Sequence, residues 1–198
     1  MVPAHTIAIV GRGRLGTALA AALRAAGLQI HGPLGRDEAL GGADVVLLCV
    51  PDSQIENAAA AIGPGPIVAH CSGALTLAPL GRHEGFSMHP LLSVTKQTAS
   101  FSNAGCAISA STPRAREACL ELIYALGMRP FELDDALRPL YHAAAAVGAG
   151  YVVAVASLAE RLIGLAGVDR DYLIPLVRSA VDNWARSGPT ALTGPIAR

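Results

Sequence analysis

The run Thr6–Gly16, TIAIVGRGRLG, limits the possible folds more than any other stretch of the chain. Ile7, Ile9 and Val10 with small Ala8 make an apolar, β-branched segment, and Gly11, Gly13 and Gly16 follow at G-x-G-x-x-G spacing. At a strand-to-helix corner of this kind the first glycine permits the tight turn. The second lets backbone approach a pyrophosphate, and the third lets the helix pack onto the strand. The next segment carries Leu15, Leu19 and Leu23 four apart on one face and stops near Gly27. Its leading N–H groups lack helical partners and suit phosphate. Gly11, Arg12, Gly13, Arg14, Leu15 and Gly16 are therefore the candidate cofactor-binding turn. A second strand, Leu28–His31, completes a βαβ unit. A glycine-punctuated corner with no ligand is the plainer alternative.

Further strands are expected at 45–50, 67–69, 86–88, 104–110 and 128–133. The uninterrupted VVLLCV of Val45–Val50 suits a parallel strand covered on both faces. Pro51 and Asp52 stop it, and Ser53 with Glu56 reads as a capping box for a helix with Ile55, Ala58, Ala59 and Ile62 on one stripe. Thr112 and Pro113 open another helix that Gly127 closes. These elements predict an α/β fold over residues 1–134: a Rossmann, doubly wound, mainly parallel sheet. In such sheets ligands sit beyond the carboxyl ends of the strands. Arg36, Pro51, Asp52, His70, Ser72, Gly73 and His89 all follow predicted strands and are expected to line one crevice with the glycine turn.

His31 and Gly32 stand where NAD enzymes place an acidic residue for the ribose, and Arg36 lies just beyond. A missing carboxylate with a nearby arginine favours NADP(H), with NAD(H) as the alternative. Asp37 and Glu38 oppose a phosphate, and Arg36 as a solvated loop charge stays open. The loop itself is expected to hold one helical turn at most.

From Asp134 onward the pattern is helical, which predicts a smaller all-helical domain over 135–198. One helix runs from about Ala136 to Leu165, with small Ala144, Gly148 and Ala156 allowing close approach of another. A second spans roughly Asp171–Ser187, with Pro175 near its start, where a missing N–H costs least. ALTGPIAR closes the chain as Thr193 and Pro195 signal a third. A larger helical domain or a partner chain is expected to cover the exposed faces. The uncharged run Ala143–Ala159 falls short of the roughly 20 residues of a membrane span and reads as a buried or interface helix.

Fifteen basic and fifteen acidic side chains cancel in 198 residues, which points away from nucleic acid and anionic membrane as partners. Of the residues, 52% are hydrophobic but only 4% aromatic, so the core must be built from closely packed Ala, Val, Leu and Ile. Cys49, Cys71, Cys106 and Cys119 lack C-x-x-C spacing and read as buried thiols of a cytoplasmic protein. With the first strand starting within about five residues, no signal peptide is expected.

Hydride chemistry on a nicotinamide needs a protein group to polarise the reacting bond and another to move a proton. Candidates are His142, His89, His70, Ser72 and Lys96, with Asn183 as a neutral partner. Histidine is favoured because it titrates near neutrality. A packed structural histidine is the competing reading, and for Asn183 burial with a satisfied amide serves equally well.

The runs VGRGRLG, VVLLCVPD, AHCSGALTL, MHPL, YHAAAAV and ALTGPIAR, in that order, resemble the Rossmann-like oxidoreductases with a helical C-terminal domain of uncharacterised function. That group belongs to the 6-phosphogluconate dehydrogenase-like superfamily and is similar to ketopantoate reductase and pyrroline-5-carboxylate reductase. The resemblance implies an NAD(P)-dependent reductase or dehydrogenase acting on a small carboxylate such as a 2-oxo acid or cyclic imine, dimeric through its helical domain. It implies Gly11, Gly13 and Gly16 for the nucleotide, with Ser72 beside it. It implies His70 and Gly73 of the same loop, and His142 with Asn183 in the second domain. Gly73 and His89 are expected against the substrate, and His142 as the proton donor aided by Asn183. Gly150 stands where the family often has an asparagine, and the family's chains usually continue past GPIAR. Both departures also fit a non-catalytic dinucleotide-binding sensor or scaffold.

Overall fold

Each apolar run expected as a strand is one in the computed structural model, which describes residues 5–95 and 100–193. The strands are β1 (Thr6–Val10), β2 (Gln29–Leu34), β3 (Val45–Leu48), β4 (Ile67–His70), β5 (Gly85–Pro90), β6 (Gly105–Ala110) and β7 (Arg129–Glu132). They form one sheet in the order β2-β1-β3-β4-β5-β6-β7. All pairings are parallel except β5 with β6.

Period-two alternation splits the buried side chains between the two faces. Ile7, Ile9, Val45 and Leu47 point into one apolar cluster, which Leu19 and Leu23 of α1 (Arg14–Ala25) and Cys119 and Leu122 of α3 (Pro113–Ala125) complete. Ala8, Val46, Leu48 and Val68 point into the other, against Ile55, Ala59 and Ile62 in and just beyond α2 (Ile55–Ala60). Helices on both faces make the sheet doubly wound. The chain steps from β1 to β2 on one side and to β3 on the other, so the strand order reverses beside the glycine turn. That reversal is where open α/β sheets bind ligands.

Local capping agrees with the sequence at α3 and departs from it at α2. Thr112 accepts from the Ala115 N–H at 3.1 Å, with Pro113 in the first turn. Ser53 and Glu56 form no capping box. Pro51 accepts from the Gln54 N–H at 2.8 Å and starts a 3₁₀ turn, Asp52–Gln54, so Ser53 is already inside helical backbone when α2 begins. The loop after β2 contains no helical turn. β2 instead continues to Leu34, whose carbonyl accepts from the Gly11 N–H at 2.8 Å.

Asp135–Leu165 is one continuous helical run of 31 residues. It comprises a 3₁₀ turn, α4 (Arg138–Ala146), a π-helical segment (Val147–Tyr151) holding Gly148 and Gly150, and α5 (Val152–Leu165). By length and composition it is apolar enough to cross a membrane, and none of that apolar stretch is buried within the chain. The helix expected over about 136–165 is thus present, and of the two readings of its uncharged run burial is corrected, since among the described residues nothing covers its apolar side chains. α6 (Arg170–Ser187) starts where Asp169 accepts from the Asp171 N–H at 2.9 Å. Pro175 is thus its sixth residue, past the first turn, and removes the N–H that would have met the Asp171 carbonyl.

Packing divides the chain into two compact units, Met1–Ala145 and Ala146–Arg198. The first holds the sheet and the start of the long helix. Lys96 and Pro195 lie outside the described residues.

Candidate functional site

Two of the three glycines are required by the fold, and the third is not. Gly11 has φ +120°, and a Cβ there would lie 2.2 Å from the Cys49 carbonyl oxygen. A Cβ on Gly16 would lie 2.0 Å from the Gly11 carbonyl oxygen. A Cβ on Gly13 would meet nothing within 4 Å. Gly13 is the N-cap of α1, with no side-chain cap and no acidic residue in the first turn. The helix therefore begins with uncapped N–H groups over open space, an arrangement that favours an anion. Leu15 leans onto the core, and Arg14 is exposed at the first helical position.

Beside the turn lies a cleft of about 860 Å³ whose lining includes Gly11, Arg12, Arg36, Glu38, Pro51 and Gln54. Arg12 donates through Nη2 to Glu38 Oε1 at 2.6 Å, and the Gly35 N–H donates to Glu38 Oε2 at 2.8 Å. The Gly35 N–H first, and then Arg12, hold this carboxyl below its usual range. Among the described residues Arg36 has a single long contact, 3.5 Å to Gln54 Oε1. The uncapped N–H groups of the turn, with Arg36 nearby, are what this corner offers a dinucleotide.

The expected single crevice resolves into two neighbouring parts joined at Pro51–Asp52. Ser72, Gly73 and His89 do not line the cleft and belong to a polar cluster at the ends of β4 and β5. Ser72 donates to Asp52 Oδ2 at 2.8 Å and accepts from the Ala74 and Leu75 N–H groups at 3.2 and 3.1 Å. The Ser72 N–H meets His70 Nδ1 at 3.2 Å, so His70 Nε2 carries the proton that goes to the Thr76 carbonyl at 3.0 Å. Burial lowers the His70 pKa. His70 and the Ser72 hydroxyl are thus committed to shaping the loop.

Gly73 and His89 are in contact: a Cβ on Gly73 would lie 2.8 to 2.9 Å from three atoms of the imidazole, which rests face-on over the glycine. His89 Nδ1 is 2.6 Å from the Tyr141 hydroxyl, the two rings meeting edge to face at 86°. Tyr141 also packs edge-on against Phe131. Burial first, then the charge of His142, pushes the His89 pKa down to about 4. His142 is exposed beside it.

One turn before Tyr141 on α4, Arg138 is only 1% exposed. Its Nε donates to Asp135 Oδ1 at 2.6 Å, and its Nη2 donates to Ser109 Oγ at 2.7 Å and Ser87 Oγ at 3.2 Å. Arg138 and Tyr141 thereby key the helix to β5 and β6. Neither is singled out by the sequence reading, although an arginine three residues before a tyrosine, both on one face of an apolar helix, was the available signal. Asn183, in the second unit, is exposed, and its Oδ1 accepts from Arg186. Burial of that amide within the chain is thereby corrected.

Residues 104–198 match a family model described as a domain of unknown function, DUF2520. Comparison with curated protein sequences gives no match. Among solved structures, a Bacteroides fragilis protein described provisionally as an NADP oxidoreductase aligns with a TM-score of 0.83 at 19% identity, covering 96% of this chain and 85% of that one. A Thermotoga maritima protein aligns at 0.72 and 21% identity, covering 96% and 83%. The Plasmodium falciparum pyrroline carboxylate reductase, solved with NADP bound, aligns at 0.69 and 14% identity, covering 94% and 81%. At these identities the likeness speaks for the fold. The chain is a Rossmann-like protein with a helical C-terminal part, similar in fold to oxidoreductases of that architecture and matching DUF2520 over residues 104–198.

Proposed function

We propose that this chain is a dinucleotide-dependent oxidoreductase that prefers NADPH over NADH and transfers hydride to or from a small carboxylate such as a 2-oxo acid or cyclic imine. The observation that carries the reading is the free space at Gly13, between two glycines that the fold itself demands. Uncapped N–H groups at the start of α1 hold the pyrophosphate. Arg36, which makes no short contact among the described residues, takes the 2′-phosphate. The nicotinamide supplies or accepts the hydride. Gly73 leaves room for the His89 ring, which contacts the substrate. His142, exposed beside it, donates the proton.

The helical unit is proposed to be covered by a second copy of the chain in a soluble, cytoplasmic homodimer. Leu158, Leu162, Leu176 and Trp184 are all exposed, while Arg170, Asp171, Arg178, Asp182 and Arg186 charge α6 and argue against lipid.

The test is turnover. Offered a panel of 2-oxo acids and cyclic imines, the protein is expected to oxidise NADPH with at least one of them. Bound NADPH left intact by the whole panel would leave a nucleotide-binding sensor instead.

A further inference from the structure

The Tyr141–His89 contact decides what kind of atom the substrate can place against this site, an inference that rests on His89 facing the substrate as proposed above. The hydroxyl-to-Nδ1 separation is 2.6 Å. That length belongs to an O–H donor, since N–H donors settle near 2.9 to 3.0 Å. Tyr141 therefore gives its proton to Nδ1, and the proton of the neutral ring sits on Nε2. Among the described residues Nε2 has no hydrogen-bond partner, so its proton is left for a ligand atom.

We infer that His89 acts as an uncharged hydrogen-bond donor through Nε2–H, that Tyr141 is the positioning residue that locks this tautomer, and that the ligand atom received is an acceptor oxygen, carbonyl or carboxylate.

The surroundings support the assignment. Burial, His142 and Arg138 oppose protonation of the ring, Asp52 favours it, and the balance keeps His89 neutral at pH 7. Arg138 fixes the helix turn that carries Tyr141 by bonding to Ser87 and Ser109 on the strands flanking the site. A neutral imidazole polarises a carbonyl without giving up its proton. The proton consumed in reduction must then come from elsewhere, which leaves that task to His142.

The ¹⁵N spectrum of the histidine side chains, recorded on the nucleotide-free protein, tests this directly. In the wild type His89 is expected as the Nε2–H tautomer, staying uncharged from pH 7 down to about 4. Tyr141→Phe keeps the ring packed on Phe131 but removes the hydroxyl, and a fraction of Nδ1–H tautomer is expected to appear. An Nδ1–H signal in the wild type would overturn the inference, since Nε2 would then present a lone pair and call for a hydroxyl-donating ligand. An unchanged Nε2–H tautomer in Tyr141→Phe would remove Tyr141 from the positioning role. Neither readout involves NADPH, so failure here is distinct from failure of the oxidoreductase reading.

Discussion

The sheet unit and the helical unit differ in where their apolar surface goes. In the first, two clusters, one on each face of the sheet, bury nearly every large aliphatic side chain of β1, β3 and β4. In the second, α5 has no buried residue and α6 has only Leu173. Both are rich in Ala, Val and Leu, so composition does not set them apart. The first closes its own core, whereas the second presents its apolar side chains to whatever covers it.

The difference can be broken at either end. The largest effect is expected from Gly16→Ala, because its Cβ would fall 2.0 Å from the Gly11 carbonyl oxygen, a backbone atom that cannot swing away. Backbone displacement at the first corner should cost about 3 kcal/mol or more and lower the unfolding midpoint in urea sharply. A Gly16→Ala protein as stable as the wild type would mean that the corner is looser than its geometry implies. A much smaller effect on the sheet unit is expected from Leu162→Glu, whose side chain is 61% exposed. It should leave the urea midpoint within about 0.5 kcal/mol and convert a dimer to a monomer in sedimentation equilibrium. A wild-type monomer, or a dimer indifferent to the charge, would place the covering partner elsewhere.

The sheet was legible because its determinants are local. Strand alternation, the Thr112–Pro113 cap and the glycine spacing each act within a few residues. The misreadings share a cause. Ser53 looked like a cap until Pro51 began the helical backbone three residues before α2. Pro175 looked harmless because it was read as lying near the start of its helix, whereas it is the sixth residue of α6 and past the first turn. Arg138 and Tyr141 were not legible as site residues. Their partners, Ser87, Ser109 and His89, lie between 29 and 52 positions away in sequence and come together only through the pairing of β5 with β6. The long helix itself was legible, but hydrophobicity alone left open whether the chain or a partner covers it.

The most direct measurement is NADPH affinity in Gly13→Ala, followed by fluorescence titration alongside thermal unfolding. The added methyl meets no protein atom within 4 Å, and φ −72° is open to any residue, so the folded state should tolerate it. It would, however, stand where the pyrophosphate must come close. The expected result is an unchanged melting temperature with NADPH binding at least tenfold weaker, a loss of about 1.4 kcal/mol. Wild-type affinity in Gly13→Ala would contradict the assignment of that space to the nucleotide, and with it the proposed chemistry.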